Sequence, residues 1–202
     1  MRQFIVVDFE ATCWRSRTEN KQNRFRSEII QIGAVKLNEN FEEVDKFFEF
    51  VRPVLEPTLS DFCQDLTGTS QEDVDHADDF EIVGKQFFDW SRNGGSLIHY
   101  FAWGNMDQIF LKYEKRNKDV LHQELEFFRK RWFNLQKIFD TFYIQSKMQY
   151  SVNAACEMLK VTPKGIAHNA LDDATNTAQI FKALQTKVDW DRVFAQRGSF
   201  LE

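Results

Sequence analysis

An apolar run near the amino terminus that ends in acidic residues constrains the fold more than any other feature. Residues 3–9 are rich in β-branched and aromatic types and show no amphipathic helical period, which is typical of a central strand buried on both faces. Asp8 and Glu10 lie at its end. Because side chains two positions apart on a strand point to the same face, the two carboxylates converge on one spot.

A pair of close carboxylates favours a bound cation, since like charges otherwise raise each other's pKa. The pattern is weak by itself, because many strand ends carry acids for solubility. A second element strengthens it: His168 precedes a predicted helix over 171–186, and Asp173 lies in the first turn. An imidazole, whose pKa lies near neutral pH, and a carboxylate able to bind metal can face one pocket there.

The same late segment has a simpler interpretation. Residues 168–169 can be a helix cap, and Asp172 and Asp173 can serve only to favour the helix dipole. Of the two acids, Asp172 lies about 100° around the helix from Asp173 and should point elsewhere.

The remaining pattern alternates between strands and helices, as expected of one α/β domain. We expect one domain over 1–202, with its core at about 3–185 and a C-terminal tail at 186–202. Further strands are predicted at 29–37, 42–51, 97–101 and 133–139, the first two forming a hairpin. Helical segments are predicted at 59–92, 107–115, 151–159 and 171–186.

Composition indicates a globular chain, because 21 Phe and five Trp accompany only eight Gly and three Pro. Cys13, Cys63 and Cys156 are widely spaced and odd in number, which excludes a disulfide framework and a zinc knuckle. No apolar run is long enough for a signal-peptide core or a bilayer span. We therefore expect no membrane association and a cytoplasmic location.

Charge is distributed unevenly along the chain. The net charge is −5, but residues 39–89 hold 15 acidic and three basic residues, and the remainder holds 16 acidic and 23 basic ones. Nucleic acid is therefore an admissible partner for the basic remainder, especially when bound cations neutralise carboxylates. The acidic stretch can equally be a solvated face.

The acids and the histidine resemble the DEDDh exonuclease superfamily, which includes RNase T, oligoribonuclease and the proofreading subunit of bacterial DNA polymerase III. The matching motifs are Asp8-x-Glu10, Asp107 within WGNMD at 103–107, and His168-x4-Asp173. Finer similarity links the chain to animal exonucleases that trim histone-mRNA and small-RNA ends, and to bacterial KapD-like proteins. It spans about residues 3–185 and includes DFEATC at 8–13, EIIQIGAVKL at 28–37, LTGTSQEDV at 66–74 and FNLQKIF at 133–139.

The resemblance implies an RNase H-like α/β exonuclease fold, a central mixed five-stranded sheet flanked by helices. It implies a 3′-5′ exonuclease that hydrolyses single-stranded RNA, with DNA as the other option, to nucleoside 5′-monophosphates. It also implies two divalent cations, Mg²⁺ or Mn²⁺. In the family pattern, Asp8 bridges both ions, Glu10 and Asp173 complete the site of the ion that activates water, Asp107 supports the second ion, and His168 accepts the proton.

Substrate contacts are expected around the first motif and the loop that follows it. Met106 stands where the similar branch often has an aromatic residue, so Trp103 or Phe9 is an alternative stacking partner for the terminal base. In the loop, Arg15, Arg17, Lys21, Arg24 and Arg26 interleave with Trp14 and Phe25, which suits an unpaired strand but also fits a charged exposed loop. The residues assigned to the substrate are Phe9, Ala11, Thr12, Trp14, Arg15, Arg17, Trp103 and Met106.

Two rival functions come from other classes. The chain can be a regulatory or binding protein that keeps the nuclease fold, of the KapD-like kind, although all five catalytic side chains are present. A nucleotide phosphohydrolase acting on small molecules is the third interpretation, and it would need no basic aromatic loop.

Overall fold

The computed structural model describes residues 2–16, 27–95, 97–118, 120–145 and 148–195. Strands and helices alternate along this part of the chain. The strands are β1 (Arg2–Ala11), β2 (Ile29–Leu37), β3 (Glu43–Phe50), β4 (Leu97–Ala102) and β5 (Trp132–Asn134). The helices are α1 (Asp61–Thr67), α2 (Gln71–Asp75), α3 (Phe80–Arg92), α4 (Met106–Lys118), α5 (His122–Arg129), α6 (Leu135–Ile138), α7 (Val152–Leu159), α8 (Ala170–Ala183) and α9 (Trp190–Ala195).

The strands form one mixed sheet in the order β3-β2-β1-β4-β5. Strand β1 is central, antiparallel to β2 and parallel to β4. In the β1–β2 pairing Asp8 lies opposite Gly33, and Glu10 lies opposite Gln31. The predicted fold, a mixed five-stranded sheet flanked by helices, is confirmed, and so is the hairpin of β2 and β3.

The alternation of side chains along β1 divides the core into two layers. Phe4 and Val6 face a layer that includes Phe181 of α8. Ile5, Val7 and Phe9 face the other layer, where α3 and α5 pack. Asp8 and Glu10 continue the α8 side of the strand, so β1 itself directs both carboxylates toward α8.

A buried ion cluster joins the residue before β2, helix α4 and the segment after β3. The Nζ atom of Lys118 lies 3.0 Å from Glu28 Oε1 and 2.7 Å from Glu114 Oε2. Both carboxylate residues are 1% exposed. Glu28 also accepts the backbone N–H groups of residues 54–56, so these buried charges are paired and hydrogen-bonded as their burial requires.

The helical segment predicted at 59–92 is divided into three helices. Helix α1 ends at Gly68, which adopts φ 67°, a conformation that glycine adopts without strain. Ser70 and Asp79 then cap α2 and α3 with their side chains. Local turn chemistry therefore overrides the continuous helical pattern.

The strand predicted at 133–139 is largely wrong. Strand pairing ends at Asn134, whose side chain accepts the backbone N–H of Lys137 and caps α6. Helix α6 then widens into a π-helical stretch, Phe139–Ile144. In the segment expected to be a tail, Val188 and Val193 belong to the core on the α8 side of the sheet. Among the described residues, no helix combines the length and the apolar character needed to span a bilayer.

Candidate active site

Asp8 and Glu10 project from the carboxyl end of β1 into the space beneath α8. Asp8 is half-buried, and the side chain of Glu10 is 13% exposed. Pairing with β2 fixes the backbone that carries them, and β4 pairs with the preceding part of β1 as far as Val6. The position of these two carboxylates is therefore set by the most central element of the sheet.

Asp107 reaches the same place from α4. The parallel strand β4 ends at Ala102, and Gly104, at φ 94°, turns the chain into the helix. Asp107 lies in the first turn, is 4% exposed, and accepts the backbone N–H of Phe9 at 2.8 Å. This bond connects the third carboxylate directly to the strand segment between the first two.

The start of α8 supplies the fourth carboxylate and the histidine. Asp173 Oδ2 accepts the backbone N–H of His168 at 2.8 Å. His168 adopts φ 65°, its side chain is 55% exposed, and its Nδ1 lies 4.0 Å from Glu10 Oε1. The imidazole thus lies between Glu10 and solvent.

Other α8 side chains hold the loop that carries His168. Asn176, which is 4% exposed, accepts the N–H of Lys164 at 2.8 Å and donates to its carbonyl at 2.9 Å. Asp172 accepts the N–H of Ile166 at 2.8 Å, which agrees with the expectation that it points away from the other acids. Sequence reasoning missed Asn176, because a buried amide within a helix gives no motif.

The four carboxylates disfavour one another's ionised forms. Loss of hydration on burial is the largest cause for each of them. It raises the pKa of Glu10 to about 8 and that of Asp107 to about 7, and it raises the pKa of Asp8 and Asp173. Repulsion from neighbouring carboxylates adds to each shift. Such a group of acids is stabilised in its ionised form by cations.

The donor set fits a hard divalent cation. Ligand atoms of Glu10, His168 and Asp173 all lie within 4.8 Å of one another. Carboxylate oxygens are the ligands that Mg²⁺ and Mn²⁺ prefer, and the solvent-facing side leaves room for water. The site therefore has the chemistry of a divalent-cation centre.

The residues after β1 line an open cavity, to which none of the four carboxylates or His168 contributes. Trp14 and Arg15 face the segment 55–62 across a volume of about 720 Å³, and the Arg15 guanidinium lies 5.9 Å from the ring centre of Phe62. Ala11 and Thr12 are buried. Thr12 uses its backbone and hydroxyl to bond the backbone of Glu28. Five other loop residues of the sequence analysis lie outside the described residues: Arg17, Lys21, Arg24, Phe25 and Arg26.

The candidate stacking residues differ in their surroundings. Phe9 is 3% exposed and packs against Phe87 and Phe128, so the suggestion that its ring stacks on a base is corrected: odd positions of β1 face the opposite layer. Trp103 is half-buried against Phe139 and donates its indole N–H to a backbone carbonyl. Met106, beside Asp107, is 55% exposed and faces solvent.

Comparison with known families agrees with this geometry. The exonuclease model of the RNase T type matches residues 5–181. The chain belongs to the RNase T exonuclease family. It is 35% identical over 181 residues to 3′-5′ exoribonuclease 1 of Mus musculus, which covers 87% of this chain and 50% of the mouse protein. It is 30% identical over 204 residues to ERI1 exoribonuclease 2 of Xenopus laevis, covering 89% of this chain and 28% of that protein.

Solved structures place this RNase T family member among DEDDh exonucleases. The nuclease domain of 3′hExo, described as a DEDDh family member bound to rAMP, superposes with a TM-score of 0.81 at 32% identity and covers 91% of this chain and 92% of that one. A 3′-exonuclease recognising the histone mRNA stem-loop gives a TM-score of 0.79 at 29% identity, and the match covers 90% of this chain and 63% of that one. The predicted resemblance is confirmed. The chain spans about half the length of the first curated relatives that it matches.

Proposed function

We propose that the protein is a 3′-5′ exonuclease that shortens single-stranded RNA and releases nucleoside 5′-monophosphates. The observation that carries the proposal is the convergence of Asp8, Glu10, Asp107 and Asp173, brought together from β1, α4 and α8 with His168 at the solvent side. RNA is favoured over DNA because the similar mouse protein is named an exoribonuclease.

DEDDh exonucleases use divalent metal ions, and the four carboxylates of this chain would hold them. We propose two such ions, Mg²⁺ or Mn²⁺. When bound, they supply charge neutralisation at the phosphate and the departing 3′ oxygen, and they lower the pKa of water.

The side chains of the protein orient and deprotonate the attacking water. Nδ1 of His168 faces Glu10 at 4.0 Å, which leaves Nε2 to accept a proton. Because the ring is 55% exposed, that proton can pass on to solvent. Asp107 and Asp173 accept backbone N–H groups, and these neutral donors fix their geometry without cancelling their charge.

Substrate enters, in this proposal, along the cavity lined by Trp14 and Arg15. An aromatic ring beside a guanidinium offers a base a stacking surface and a phosphate a charge partner. Met106, next to Asp107 and exposed, provides apolar contact for the terminal nucleotide. The buried position of Ala11 and Thr12 limits their contribution to shaping the backbone of the cavity.

The test is cleavage of 5′-labelled single-stranded RNA and DNA of the same sequence, with Mg²⁺, with Mn²⁺ and with EDTA. We expect a ladder of shortened 5′-labelled products and release of nucleoside 5′-monophosphates, faster on RNA and absent with EDTA. Asp8→Asn should lose at least about 1000-fold in kcat, since it removes a carboxylate from the site. Asp65→Asn, at an exposed acid on α1, is the matched control.

The outcomes separate the parts of the proposal. No shortening with either ion would contradict the enzymatic function and favour a binding role for the fold. Equal shortening by the Asp8→Asn protein would contradict the assigned site. Faster cleavage of DNA would overturn the substrate preference alone.

A further inference from the structure

Gln31 is a buried polar residue on the face of the sheet that carries the acids. It lies in β2, directly opposite Glu10, and is 1% exposed. Opposed residues of an antiparallel pair share a face, so the Gln31 side chain lies beside that of Glu10. Burying an amide without hydrogen-bond partners costs free energy, so a buried glutamine is expected to be hydrogen-bonded. Its partners show which segments the side chain connects.

The amide of Gln31 joins two distant segments. Its Oε1 accepts the backbone N–H of Ala170 at 2.9 Å. Its Nε2 donates to Thr69 Oγ1 at 2.6 Å and lies 3.4 Å from the carbonyl oxygen of Thr67. A side-chain amide is suited to this position because it donates on one side and accepts on the other.

The bond to Ala170 holds the first residue of α8. The first N–H groups of a helix have no intrahelical partner. Asn169 caps those of Leu171 and Asp172 with its side chain, and Gln31 takes that of Ala170. Since Ala170 lies between His168 and Asp173 in the chain, this bond sets the distance from β2 to both.

We infer that Gln31 is a positioning residue that fixes the start of α8, and with it His168 and Asp173, relative to the strand that carries Glu10. The inference rests on the proposed nuclease function. A neutral amide achieves this without adding a further negative charge beside Asp8 and Glu10, which an ionised glutamate would do.

The main variant is Gln31→Met, which keeps the length and approximate volume but removes the strong donor and acceptor. We expect kcat on single-stranded RNA to fall about 10- to 100-fold, because misplacing reactive groups by about 1 Å costs up to about 100-fold. KM should change by less than about threefold, since Gln31 is buried away from the substrate. Gln31→Asn, one methylene shorter and unable to span both partners, is a milder second variant expected to change kcat in the same direction.

Two comparison variants separate positioning from general stability. Gln31→Glu retains an oxygen that can accept the Ala170 N–H but adds a carboxyl group beside Glu10, so it should keep the start of α8 in place even where its kcat falls. Thr69→Val removes a partner on the other side of the amide, so it should lower the urea midpoint while kcat stays within about threefold of the parent. Equal loss of kcat in Thr69→Val and Gln31→Met at matched stability would overturn the inference, as would full activity of Gln31→Met.

Amide hydrogen exchange provides a measurement that needs no activity. In Gln31→Met, peptides covering 168–173 should exchange at least about tenfold faster, while β1 exchanges as in the parent and Gln31→Glu stays close to the parent. Unchanged exchange at 168–173 would contradict the positioning role even if the protein degrades RNA. Faster exchange in a protein whose parent shows no nuclease activity would support the positioning role and overturn only the proposed function.

Discussion

Replacing Gly33 with alanine tests whether the close approach of α8 to β2 determines the geometry of the active site. A Cβ atom on Gly33 would lie 2.1 Å from the carbonyl carbon of Ala170 and 2.3 Å from Leu171 N. Ordinary contact begins at 3.4 Å. Because the opposing atoms are backbone and cannot rotate away, the start of α8 must shift by roughly 1 Å.

The magnitude follows from what that shift moves. Adding a methyl group to a packed site typically costs about 1–3 kcal/mol, and the rigid backbone at this contact favours the upper end. His168 and Asp173 move with α8, while Asp8 and Glu10 stay on β1. A displacement of about 1 Å between groups that act together lowers the rate by about 100-fold, so kcat should fall by about that factor.

The assay is urea unfolding together with single-turnover cleavage of 5′-labelled RNA, both well below the melting temperature of the variant. Gly84→Ala is the control, because its Cβ would meet side-chain atoms and no opposing backbone: the end of Leu121 at 2.8 Å and the Phe80 ring at 3.1 Å. Both lie in the opposite layer of the core, and kcat should stay within about threefold. If Gly33→Ala keeps kcat within about threefold and loses less than about 0.5 kcal/mol, the close approach does not determine the site.

Three further outcomes concern buried polar and charged groups. In EDTA, the free energy of unfolding, measured by urea titration, should fall as pH rises from about 5 to 8. The reason is that Glu10 (pKa about 8) and Asp107 (pKa about 7) bind more protons in the folded protein than in the unfolded chain over this range. Mg²⁺ should make this pH dependence flatter, and an identical pH dependence with Mg²⁺ would argue against the metal site. Lys118→Met should cost about 3–5 kcal/mol in the same titrations, because it leaves two buried carboxylates without their cation; a loss below about 1 kcal/mol would contradict this. Asn176→Ala should lower kcat about tenfold with little change in KM, since it frees the loop before His168; an unchanged kcat would show that the loop is held without it.

The local sequence pattern was sufficient to predict the strand that carries the first two acids. β1 contains an apolar run, Phe4–Val7, and the alternation of side chains along the strand places Asp8 and Glu10 on one side and Phe9 on the other. The start of α8 was also predictable, because Asn169 caps it and a helical apolar face follows. These features depend on residues that are close together in the sequence, so the sequence pattern is enough to predict them.

The supporting contacts were not predictable because they depend on distant partners. Gln31 reads as one residue of a buried strand, yet it bonds Ala170, 139 positions away. The segment 133–139 resembles a strand in composition, but only its first two residues are strand, because Asn134 caps a helix that begins at Leu135. Phe9 was offered as a stacking residue because it adjoins the acids, whereas the pleat of β1 buries its ring in the other layer.

Neutral hydrogen-bond donors and acceptors, rather than cationic side chains, hold the acids in place. Phe9 N–H binds Asp107, His168 N–H binds Asp173, and Gln31 binds the N–H of Ala170. The ion pairs of Lys46, Lys85, Lys118, Arg129 and Lys130 join other acids, such as Glu28. A lysine at the site would fix a carboxylate equally well but would cancel the negative charge that attracts a divalent cation. Dipolar donors fix the geometry and leave the charge, so the arrangement suits a protein that depends on bound metal.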